Sequence, residues 1–135
     1  MAELHTFTTE AELAEFGAAL VKTLGVGDIV LLSGPLGAGK TTLARAMIGA
    51  LGWDGHVRSP TYNLIHTYDT TPPVMHADLY RLESAHGLGL EEFLDSHLCL
   101  IEWPDRLGGI LDGRAAIEVE IEFAEQGRNV RMERN

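Results

Sequence analysis

Cysteine is almost absent: Cys99 stands alone in 135 residues, which excludes an internal disulfide framework and any multi-cysteine zinc site. Lysine is nearly as scarce, with only Lys22 and Lys40. Positive charge is in the minority, 10 Lys+Arg against 20 Asp+Glu, for a net charge of −10. Such a chain lacks the clustered cations that gripping nucleic-acid phosphates requires, and Arg128, Arg131 and Arg134 make only a small patch. Any role in a nucleic-acid pathway is therefore expected to run through another protein. No apolar run approaches the roughly 20 residues of a membrane span. The opening Met1-Ala2-Glu3-Leu4-His5 lacks the basic-then-apolar order of a secretory signal, so a cytoplasmic protein is expected. The length suits one hydrophobic core, and 1–135 is expected to be a single small domain.

The chain carries no internal repeat, low-complexity tract or linker-like segment. Thr9 and Glu12 have the spacing of a capping box, with Thr9 as N-cap. Leu13, Phe16, Leu20 and Leu24 then recur at helical spacing, predicting a helix over 10–24 that Gly25 and Gly27 end. Ile29-Val30-Leu31-Leu32 is an uninterrupted apolar run, as expected of a strand buried on both faces. A glycine-rich loop over 34–39 precedes a second predicted helix over 40–51. Strands are expected at 63–68 and 74–78, a short helical stretch at 87–96, and another buried strand at 98–101, closed by Glu102 and Pro104. Ile117, Val119, Ile121 and Phe123 alternate with three glutamates, predicting a half-wet strand with which 130–134 pairs. These elements make an α/β fold, a mixed sheet flanked by helices.

Gly34-Pro35-Leu36-Gly37-Ala38-Gly39-Lys40-Thr41 satisfies the G-x-x-x-x-G-K-[ST] pattern of a P-loop. Glycines let successive backbone N–H groups curl around phosphate oxygens where a side chain would clash. The helix that follows aims the positive end of its dipole at the same anion. Lys40 is suited to the β/γ-phosphate charge, and the Thr41 hydroxyl to a Mg²⁺ ion. At ordinary residue usage a chance match arises on the order of once in several hundred chains of this length. The flanking strand and helix make chance the poorer account.

A P-loop needs an acidic group on a neighbouring strand for the metal or its water. Asp78 ends 74–78 and Glu102 ends 98–101, and the residues leave open which of them serves which role. Ser59-Pro60-Thr61 could place a hydroxyl near the γ-phosphate, although an ordinary Ser-Pro turn is the simpler local reading. His76-x-Asp78 has no further histidine or cysteine at ligand spacing, which argues against zinc. Cys99, between leucines, is expected in the core. Trp103 fits a base stack, a partner contact or the core equally well.

Leu36-Gly37-Ala38-Gly39-Lys40-Thr41-Thr42, Ser59-Pro60-Thr61-Tyr62, His76-Ala77-Asp78-Leu79-Tyr80-Arg81 and Leu100-Ile101-Glu102-Trp103-Pro104 together resemble, in order and spacing, the TsaE (YjeE) family. These are small bacterial ATPases of tRNA threonylcarbamoyladenosine biosynthesis, and the resemblance covers nearly the whole chain. It implies ATP and Mg²⁺ as cofactors and a TsaB–TsaD pair as protein partners, with tRNA reached only through that complex. It also implies that Gly37, Ala38, Gly39, Lys40, Thr41 and Thr42 hold the phosphates, that Thr41 and Glu102 serve the metal, and that Lys40, Asp78 and Glu102 serve hydrolysis. Thr61 becomes a switch residue, Arg128 a nucleotide contact, and Glu10 a neighbour of the adenine. Rival readings are a small P-loop kinase, for which no arginine-rich lid is visible, and a GTPase-like switch. For the latter, Asp105-Arg106-Leu107-Gly108 reads D-x-x-G but lies beyond Pro104, and no N-K-x-D segment follows. A nucleotide-gated binding module that never hydrolyses is a third.

Overall fold

Strands without polar alternation belong where both faces are covered, and the three such runs of this chain lie side by side. In the computed structural model, which describes residues 2–57 and 64–134, they are β2 (Ile29–Ser33), β4 (Val74–Asp78) and β5 (Leu98–Glu102). β2 and β4 both run parallel to β5. On the other side β2 is joined in parallel by β6 (Ile117–Phe123), whose alternating burial matches its alternating sequence. Antiparallel strands finish both edges. β3 (Ile65–Tyr68) pairs with β4, and β7 (Arg128–Arg134) pairs with β6. β1 (Glu3–Phe7) closes the far edge against β7. Among the described residues the strands form one seven-stranded mixed sheet in the order β1-β7-β6-β2-β5-β4-β3.

One face of the sheet carries the two α-helices of the described residues. α1 (Glu10–Val21) is capped by Thr9, whose hydroxyl accepts the Glu12 N–H at 3.1 Å. The return half of the expected box lands one residue early: Glu12 Oε1 accepts the backbone N–H and hydroxyl of Thr8, at 3.2 and 2.6 Å. The helix stops at Val21 rather than running to 24, because the Thr23 hydroxyl and N–H both take the Leu20 carbonyl, at 2.7 and 3.0 Å. α2 (Lys40–Ala50) places Leu43, Ala44, Met47 and Ile48 against Val30, Leu32, Leu98 and Leu100. Burial of each such large side chain contributes roughly 1.5–3 kcal/mol.

Among the described residues the opposite face is covered without α-helix. The stretch expected to be helical over 87–96 forms one 3₁₀ turn, Leu90–Phe93, which drops Leu90 and Leu94 onto Ile29, Leu31, Met75 and Cys99. Glycines at 87 and 89, both with positive φ, interrupt it. Cys99 is buried there as expected, and burial pushes its thiol up to about 11.

The strand expected at 63–68 begins at Ile65, residue 63 lying outside the described residues. The strand at 130–134 begins earlier, at Arg128, and so reaches back to the tight turn after β6. β1 was not legible as a strand. Its one exposed aliphatic residue, Leu4, breaks the apolar alternation, and its pairing partner lies at the other end of the chain.

Candidate functional site

Parallel strands present their carboxyl ends together, and in open α/β sheets ligands bind there. Here β2, β4 and β5 bring Ser33, Asp78 and Glu102 to one edge, and the register sets Glu102 beside both Leu32 and Asp78. The loop leaving β2 begins at Gly34, whose φ is +140° and where a Cβ would lie 2.1 Å from the Ile121 carbonyl oxygen. No other residue fits that approach to β6. The loop ends at Gly39, also at positive φ, and the first amides of α2 carry no side-chain cap. They remain available to an anion.

Lys40 is nine-tenths buried, and its ammonium donates to the Gly34 and Pro35 carbonyls at 2.5 and 2.9 Å. Its Nζ also sits 4.3 Å from the centre of the Trp103 ring. Burial pulls the ammonium below the usual lysine range, while the nearby Glu102 and Asp78 charges oppose that shift. Trp103 adopts φ +60°, a left-handed conformation rare for a bulky residue. Its N–H donates to Leu32 O at 3.1 Å, and its ring packs on Tyr80 at 4.6 Å.

Thr41 and Glu102 meet across the sheet-to-helix gap. The Thr41 hydroxyl lies 2.9 and 3.1 Å from the two carboxylate oxygens of Glu102, a residue only 2% exposed. His76 Nε2 approaches the second of these oxygens at 2.7 Å. Two hard oxygen donors side by side, one of them anionic, suit a Mg²⁺ that takes its remaining ligands from phosphate and water. Asp78 is less deeply buried than Glu102 and accepts the Tyr80 N–H at 3.0 Å. Burial raises its carboxyl above the usual range and the Glu102 charge adds to this, against the Tyr80 N–H and the Lys40 ammonium.

A cavity of about 410 Å³ runs from these groups along the loop to the start of α1, within the range of small-ligand sites. Gly37, Ala38, Gly39, Lys40, Thr41, Thr42, Asp78 and Glu102 line it, together with Arg128 and the exposed Glu10. Of the residues expected at the site, Thr61 alone lies outside the described residues, in the segment 58–63. Arg128 is committed to the loop itself. Its Nε and Nη2 donate to the Ala38 and Gly37 carbonyls at 2.7 and 3.3 Å, and its guanidinium lies 4.6 Å from the Phe123 ring centre. Asp105, of the D-x-x-G sequence, pairs with Arg106 and does not line the cavity.

Sequence reading missed the far wall, made by Phe7, Thr8, Thr9 and Leu13. The N-cap at Thr9 was the available signal, because a helix start at that position had to face something. His76, whose sequence context suggests at most a metal ligand, is the neighbour of Glu102.

The chain is similar to proteins of one named family. The family model for threonylcarbamoyl adenosine biosynthesis protein TsaE matches residues 7–132. A tRNA threonylcarbamoyladenosine biosynthesis protein TsaE from Haemophilus influenzae is 40% identical over 109 residues, spanning 77% of this chain and 68% of the relative. The proteins of that name from Rickettsia conorii and Bacillus subtilis are 38% and 35% identical over 132 residues. They cover 94% and 89% of this chain, and 75% and 82% of their own lengths. The crystal structure of Bacillus subtilis YdiB superposes with a TM-score of 0.76 over 98% of this chain and 84% of that one. At 24% identity, that likeness speaks to the fold.

Proposed function

The chain belongs to the TsaE family, of tRNA threonylcarbamoyladenosine biosynthesis, and from that membership we propose that it is the pathway's ATP-hydrolysing component. In this reading 1–135 is one ATPase domain working in the cytoplasm with TsaB and TsaD, its hydrolysis resetting their complex between rounds. It reaches tRNA only through them, in keeping with its charge of −10.

The observation that carries the proposal is the bond from Thr41 to Glu102, which ties the P-loop helix to the neighbouring strand at the place where a metal is needed. Amides of Gly37, Ala38, Gly39 and Lys40, with Thr42 next in the chain, would hold the phosphates. Lys40, now on the Gly34 and Pro35 carbonyls, would turn to the β/γ-phosphate charge. Thr41 and Glu102 would hold Mg²⁺, which would supply neutralisation of phosphate charge. Asp78, half-buried with a raised affinity for protons, would orient the attacking water and take its proton. The wall from Phe7 to Leu13, with Glu10 at its rim, receives the adenosine. Arg128 serves the nucleotide by shaping the loop, and Thr61 is the switch hydroxyl.

The deciding experiment measures ATP and GTP hydrolysis with Mg²⁺, with and without purified TsaB–TsaD and tRNA. ATP turnover raised by the partners is the expected result. Partner-indifferent hydrolysis, or transfer of phosphate to a small acceptor, would remove the coupled role.

A further inference from the structure

His76 is fully buried on β4, two residues before Asp78. The register places it opposite Leu100, whereas Asp78 stands opposite Glu102. Side chains two apart share a sheet face, so Glu102 has two neighbours on β4 of opposite character. Directly across is a carboxylate that repels it. On the diagonal is an imidazole, a separation that long side chains bridge, and Nε2 reaches Glu102 Oε2 at 2.7 Å.

A carboxylate only accepts hydrogen bonds, so at this distance Nε2 must carry the proton. Nδ1, buried, has no partner among the described residues, which leaves the neutral Nε2–H tautomer as the one that satisfies the site. Glu102 is then held by two donors, the imidazole N–H from the sheet and the Thr41 hydroxyl from the helix. Without the imidazole, repulsion from Asp78 acts on a carboxylate with several rotatable bonds and one remaining tether.

We propose that His76 is a positioning residue for hydrolysis: its Nε2–H fixes the Glu102 carboxylate against Thr41 and away from Asp78. The inference rests on the ATPase reading above and extends it to a residue that does not line the nucleotide cavity.

Three variants separate this role from simple core filling. The amide nitrogen of His76→Gln reaches the place of Nε2, that of His76→Asn reaches only the place of Nδ1, and His76→Leu fills volume with no donor. For the folded Asn and Leu variants, kcat for ATP should fall about 10–100-fold, the usual cost of losing an outer partner of a metal ligand. KM should stay within about 3-fold, since the phosphate contacts remain. His76→Gln should recover most of the rate. Equal loss in Gln and Asn, or wild-type kcat in Asn or Leu, overturns the proposal.

Nitrogen-15 imidazole spectra of the nucleotide-free protein give a second readout that needs no turnover. They should show His76 as the Nε2–H tautomer with a slowly exchanging proton, and Glu102→Ala should speed that exchange. An Nδ1–H tautomer, or exchange indifferent to Glu102, also overturns it. A wild-type protein inactive with its partners would instead remove the ATPase reading, with the spectra still deciding the His76–Glu102 arrangement.

Discussion

Trp103 covers Lys40: the ammonium of the P-loop lysine lies 4.3 Å from the centre of the indole, the ring itself backed by Tyr80. The lid is possible because Trp103 turns left-handed straight after β5, while its N–H holds to Leu32 on β2. For an L-residue that conformation costs energy.

This strain sets the first prediction. Trp103→Ala and Trp103→Gly both delete the ring, so they lose the same packing. At an ordinary position glycine would be the less stable of the two. Here Trp103→Gly should be more stable than Trp103→Ala by about 1–2 kcal/mol, because only alanine keeps the left-handed penalty. Urea denaturation of the pair measures it, and the reverse ranking would show that the backbone there is unstrained.

Glu102→Ala should keep substantial ATP binding and lose turnover, since in the proposed reading loop amides and Lys40 grip the phosphates. Thr41→Val should lose turnover too. It should also be less stable by about 1–3 kcal/mol, because the buried carboxylate of Glu102 loses a donor. Calorimetric ATP titration beside a hydrolysis assay tests both; unchanged steady-state hydrolysis in either variant contradicts the assignment.

Arg128→Met should weaken ATP binding by roughly 10-fold, about the net contribution of one charge-assisted hydrogen bond. The Gly37 and Ala38 carbonyls it frees can then rotate toward the phosphate site. Removing a direct phosphate contact would instead steepen the loss for ATP relative to ADP, so titration of both nucleotides tells the two roles apart.

Asp78→Asn should abolish hydrolysis and stabilise the nucleotide-free protein at neutral pH. Burial raises the Asp78 carboxyl above its unfolded value, so the fold favours the protonated form. That contribution is complete below the unfolded pKa, near pH 4, and is lost as pH rises through the raised folded value. The melting-temperature advantage of the variant should therefore open with rising pH. A constant difference from acid to neutral pH would mean that the carboxylate is not strained by burial.

Much of this site could be read from residue order. The glycine spacing before Lys40 and the acids closing two apolar runs are local patterns, and each landed on the same edge of the sheet. What escaped depends on register. Whether His76 meets Glu102 is decided by how β4 slides along β5, which no spacing within either strand records. The β1 strand and the Arg128 clamp escaped for the same reason, since their partners are supplied by the opposite end of the chain. The short 3₁₀ turn near Leu90 and the early end of α1 were lost to local competition, positive-φ glycines in one case and a threonine hydroxyl in the other.

That long reach has a consequence during synthesis. Arg128 lies 90 residues beyond Ala38, whose carbonyl it holds, and β1 must wait for β7 before it has an edge to join. On a ribosome moving at about 5–20 residues per second, the P-loop emerges on the order of 5–20 s before its clamp. A nascent chain can thus display the phosphate-binding sequence without a finished pocket, and nucleotide cannot help it fold until the last strand has been made.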